Sequence, residues 1–75
     1  MIFIIEGFPK NGDTLAFEKE LGLTADELTP IMGWESEEDY VGVVCTLSDE
    51  QVNRIEQLLG RALPRDLELF LANYE

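Results

Sequence analysis

The chain has no histidine and a single cysteine among its 75 residues. That scarcity removes intramolecular disulfides, His–Cys zinc sites, CxxC redox chemistry and Ser–His or Cys–His catalysis. Cationic side chains are nearly as rare: five Lys and Arg stand against 16 Asp and Glu, a formal net charge of −11. A surface so anionic repels nucleic acid phosphate and acidic lipid headgroups. Long apolar runs are missing too. Met1-Ile2-Phe3-Ile4-Ile5 stops at Glu6, without the basic flank of a signal peptide and far short of the roughly 20 residues of a membrane span. With Cys45 unpaired and no export signal, a reducing cytoplasm is the expected compartment. The six glycines form neither G-x-x-x-x-G-K-[ST] nor G-x-G-x-x-G. The acid run Glu35-Ser36-Glu37-Glu38-Asp39 lacks the spacing of an EF-hand loop. We therefore expect no enzyme, no cofactor and no metal site.

What is present is an ordinary globular composition, 45% apolar and 28% charged. The length accommodates one domain over residues 1–75. Size scaling gives it a folded surface of roughly 4,700 Å² and a thin core.

Residues 2–8 are β-branched and aromatic and read as a buried strand, ended by the turn Pro9-Lys10-Asn11-Gly12. Asp13 or Thr14 then caps a short helix carrying Phe17 and Leu21, closed by Gly22. Thr24-Ala25-Asp26-Glu27 is a T-x-x-E capping box opening a short helix with Leu28, Ile31 and Met32 inward. Tyr40 to Leu47 reads as a second strand, with Met32 to Glu35 pairing back on it as a hairpin. Ser48-Asp49-Glu50-Gln51 opens a helix bearing Val52, Ile55, Leu58 and Leu59, ended by Gly60. Leu63, Leu67, Phe70, Leu71 and Tyr74 continue as a last helical stripe. The expected class is α+β: a two- or three-stranded sheet covered on one face by three to four short helices.

The charge is unevenly placed. Residues 18–50 hold ten acids and only Lys19, whereas the segments before and after each carry a net charge of −1. Asp26, Glu27, Asp49 and Glu50 are accounted for by helix dipoles. Glu35, Glu37, Glu38 and Asp39 lie outside any expected helix and read either as a solvated loop or as a docking patch for a cationic protein. Trp34 and Tyr40 flank the run, either as core residues or as aromatic anchors beside carboxylates that accept guanidinium contacts. The candidate partner-binding residues are therefore Trp34, Glu35, Glu37, Glu38, Asp39 and Tyr40. Cys45, inside an apolar strand, reads as a small buried hydrophobe.

An acidic α+β chain that opens with an apolar strand, carries a Trp34-to-Tyr40 acidic loop and closes on Phe70-Leu71-Ala72-Asn73-Tyr74 resembles bacterial immunity proteins of polymorphic or contact-dependent toxin systems. The resemblance covers the chain in size, charge and element order. It implies a protein that binds a cognate toxin, often a basic nuclease, and blocks its active site or substrate groove. Two alternatives stay open. One is a nucleic-acid mimic that inhibits a restriction or CRISPR nuclease. The other is a non-inhibitory regulatory or assembly module, including a homodimer built on an exposed sheet edge.

Overall fold

Strand β1 (Ile2–Pro9) carries apolar side chains on both of its faces. In the computed structural model, which describes residues 1–74, β1 is central. It pairs antiparallel with β2 (Phe17–Leu21) on one side and with β4 (Leu67–Tyr74) on the other. A two-residue β3 (Cys45–Thr46) pairs with β4, giving a four-stranded antiparallel sheet of order β2-β1-β4-β3. The turn after β1 closes as expected, with Gly12 N–H donating to Pro9 O at 3.0 Å.

Helices α1 (Ala25–Met32) and α2 (Asp49–Leu59) begin at the two capping boxes. Thr24 and Ser48 accept from the backbone of Glu27 and Gln51, whose side chains accept in return from the cap N–H groups. Gly33 and Gly60 end the helices at φ 73° and 69°, a left-handed conformation that glycine adopts without Cβ strain. Both helices pack on one face of the sheet. Leu28 and Ile31 of α1, with Val52 and Ile55 of α2, share a core with Phe3, Ile5, Leu21, Leu69 and Leu71. Each fully buried side chain of this kind stabilises the fold by roughly 2 kcal/mol. Gly7 sits where Leu67, Leu69 and Phe17 cross the sheet; a Cβ there would lie 3.0–3.1 Å from their side chains. The accessible surface is 4809 Å².

The α+β class holds, but the elements are redistributed: four strands and two α-helices, with one 3-10 turn, among the described residues. The helix expected after Asp13 is β2. Phe17 and Leu21, four residues apart, share a face in a strand as well as in a helix, and the bare edge of β1 takes them as a strand. The last expected helix is β4. Leu67, Leu69 and Leu71 alternate inward, while Glu68, Phe70 and Ala72 point to the other face. The expected strand from Tyr40 to Leu47 is paired only at Cys45 and Thr46. Tyr40 to Val43 turns instead, with Val43 N–H on Tyr40 O at 3.0 Å. Met32 to Glu35 forms no hairpin strand, since Met32 is the last residue of α1 and Gly33 its cap.

Candidate functional site

The acid run folds into a single 3-10 turn, Glu37–Asp39. Asp39 makes it. Its Oδ2 accepts from the N–H groups of Glu35 at 2.7 Å and Ser36 at 3.2 Å, tying the carboxylate to the backbone that enters the turn. The carboxylates of Glu35, Glu37 and Glu38 are exposed and, among the described residues, take part in no hydrogen bond or ion pair. Glu37 borders a surface depression shared with Thr24 and Ala25, so the turn lies beside the acidic start of α1.

Trp34 and Tyr40 bracket the turn but are half-buried. Their rings lie 4.4 Å apart, and Phe3 packs on both, at 5.8 Å and 5.9 Å. The aromatic pair therefore anchors the turn to the core, leaving only part of each ring open to a partner. Asn73 of β4 holds the other end of the loop. Its side chain accepts from Gly42 N–H at 3.1 Å and donates to the carbonyls of Tyr40 and Val43. Of the six sequence-derived contact residues, three present free carboxylates, one is an internal clamp and two are core-lining aromatics.

The ten acids of residues 18–50 do not gather in one patch. Glu18 and Glu20 stand on β2, at one edge of the sheet, while Asp49 and Glu50 open α2 beyond β3, at the opposite edge. Two of the three arginines are engaged elsewhere. Arg54 donates to Pro30 O at 3.2 Å, and Arg65 contacts Asn53 and pairs with Glu56 at 2.6 Å. Glu56 also accepts from Leu63 N–H at 2.6 Å. That backbone donor, and then Arg65, hold the Glu56 carboxyl below its ordinary range. Among the described residues no group of three His, Cys, Asp or Glu side chains could hold a metal ion. No helix among them is long and apolar enough to cross a membrane.

A model for the family described as Domain of unknown function (DUF7683) matches residues 2–72. The chain belongs to this family. The DUF7683 match takes in both helices, the 3-10 turn and nearly all of the sheet. No curated protein and no solved structure matches the chain.

Within this DUF7683 fold, a second surface was not anticipated from the sequence. The register places Ile2, Ile4, Glu6 and Phe8 of β1 on the face opposite the helices. Glu18 and Glu20 of β2 join them there, as do Glu68, Phe70, Ala72 and Tyr74 of β4. Phe8 and Phe70 pack edge to face at 5.7 Å, and Tyr74 donates to Glu6 Oε2 at 3.0 Å. Glu6, by this hydrogen bond first and by its charge second, raises the Tyr74 phenol above its ordinary value. One signal was available in advance: Ile2, Ile4 and Phe8 are apolar at positions that a sheet solvated on its outer face would make polar.

Proposed function

We propose that the protein is a small acidic binding protein that inhibits a basic protein partner, an immunity protein neutralising a cognate toxin. In this reading it acts in the cytoplasm and catalyses no reaction. The observation that carries the reading is the set of Glu35, Glu37 and Glu38, exposed and unengaged among the described residues. The turn that presents them is fixed by Asp39 and by the aromatic pair. Preset carboxylates of this kind receive Lys or Arg without first surrendering an internal contact. The net charge of −11 supports the same reading, since like charges on so small a body weaken folding while complementary fields speed capture of a cationic partner.

The test is affinity capture from the native lysate followed by association kinetics with the captured protein. A basic partner is expected, with an association rate that falls at least tenfold from about 50 to about 500 mM salt. Changing Glu35, Glu37 and Glu38 together to Gln should slow association in the same direction. A rate indifferent to both salt and the triple change would refute electrostatic capture.

A further inference from the structure

The helices cover one face of the sheet and leave the other bare. Along the two central strands the bare face shows Ile2, Ile4, Phe8, Phe70 and Tyr74, with Ile2 40% and Tyr74 49% exposed. Val44, 59% exposed, borders the same surface beside Phe70. Every charged strand residue on this face is an acid: Glu6, Glu18, Glu20 and Glu68. Lys19, the cation nearest in sequence to Glu18 and Glu20, stands on the opposite face, across from Ile5. Glu6 and Glu18 are direct cross-strand partners. Like charges so placed destabilise a ladder. Folding gains nothing from the pair, and a cation arriving from outside would relieve it.

We propose that this face docks a helix of a partner protein, apolar along one stripe and flanked by Lys or Arg. The proposal rests on the reading of the chain as an acidic binding protein but places a contact on a surface separate from the 3-10 turn. The dimensions suit a helix. β1 and β4 lie about 4.8 Å apart, and eight residues of strand run about 27 Å. That stripe is matched by about 18 residues of a helix roughly 10 Å across. The unipolar charge decides the occupant. A second copy laid face to face would set the four strand carboxylates of one molecule against the four of the other, and Lys10, beyond the end of β1 beside Glu68 and Phe70, supplies a single cation at the border. Nucleic acid and anionic membranes meet the same repulsion.

The probe is an amidated helical peptide of about 18 residues with a leucine stripe flanked by lysines, together with a twin carrying Glu for every Lys. Both are titrated into the whole isotope-labelled protein and followed by backbone amide NMR. The lysine peptide is expected to shift Ile4, Phe8, Glu18, Glu20 and Phe70. Glu18→Lys with Glu20→Lys, both exposed, should weaken that binding at least tenfold, and Gln at positions 35, 37 and 38 should leave it unchanged. Shifts confined to residues 34–40 and abolished by those Gln changes would overturn this inference while leaving the proposed function standing. Equal binding of the glutamate twin at the sheet face would overturn the cationic occupant, and sedimentation as a dimer with the sheet-face amides shifted would replace it by a second copy. Absence of binding at either surface would overturn this inference, while the proposed function stands or falls on the salt dependence and the triple Gln change.

Discussion

Tyr74 donates its phenolic hydrogen to Glu6 at 3.0 Å although the two are not register partners. Tyr74 lies opposite Ile2, and Glu6 opposite Phe70. Between them is the Ile4–Ala72 pair, and the two side chains lean over it along the strands. Ala72 is only 1% exposed although no helix covers its face.

This hydrogen bond sets an alkaline limit. Glu6 favours the neutral phenol, so the folded pKa of Tyr74 is raised above its unfolded value. Its contribution is fully present below about pH 10 and is lost as pH rises through the raised folded value. Urea midpoints between about pH 9 and 11 should fall more steeply for the native protein than for Tyr74→Phe, and an absorbance titration should show one tyrosine ionising late.

An acid limit comes from Glu56. Its folded pKa is depressed by Leu63 N–H and by Arg65. Its contribution is therefore present above the unfolded value, near pH 4.5, and disappears as pH falls through the depressed folded one. Glu56→Gln should flatten the decline in urea midpoint below that pH. The same change should lower stability at neutral pH, where it removes the ion pair with Arg65.

Asn73→Ala leaves Gly42 N–H and the Tyr40 and Val43 carbonyls without their side-chain partner. The expected loss is about 2 kcal/mol by urea unfolding. Because this loop carries Tyr40, which packs on Trp34, the near-ultraviolet circular dichroism of the aromatic cluster should weaken in the folded variant.

Adjacent acids should behave differently. Asp39→Ala unties the entry to the 3-10 turn and should cost about 1 kcal/mol, as loss of a capping side chain does. Changing Glu35, Glu37 and Glu38 to Gln should shift stability by no more than about 0.5 kcal/mol. Thermal melts of the two variants distinguish a structural carboxylate from free ones.

Gly7→Ala should destabilise by about 1–3 kcal/mol, because the new methyl meets side chains of Leu67, Leu69 and Phe17 within the packed sheet. Gly12→Ala is a control: the nearest atom to its Cβ lies 3.5 Å away, at ordinary contact distance.

Features set by neighbours in the chain were legible in the sequence. Both capping boxes, the Gly60 helix end, the first strand and the turn after Pro9 follow from residues within a few positions of one another. β2 and β4 were not legible for the same reason. Phe17 and Leu21 fit a helix or a strand equally well, and in β4 the alternation of Leu67, Leu69 and Leu71 competes with the helical spacing of Leu63, Leu67, Phe70, Leu71 and Tyr74. At the candidate site, the position of the acid run outside an α-helix was readable. The backbone duty of Asp39 and the packing of Trp34 and Tyr40 on Phe3 depend on three-dimensional neighbours that composition does not reveal.

The seam between β1 and β4 joins segments near opposite ends of the described chain, from Pro9 with Leu67 to Ile2 with Tyr74. Closing so wide a loop costs entropy before any ladder bond repays it. During synthesis the first hairpin must therefore wait, with the free edge of β1 and its apolar side chains uncovered, until β4 emerges from the ribosome. The rate of refolding, rather than the final stability, should carry the cost of that distant pairing.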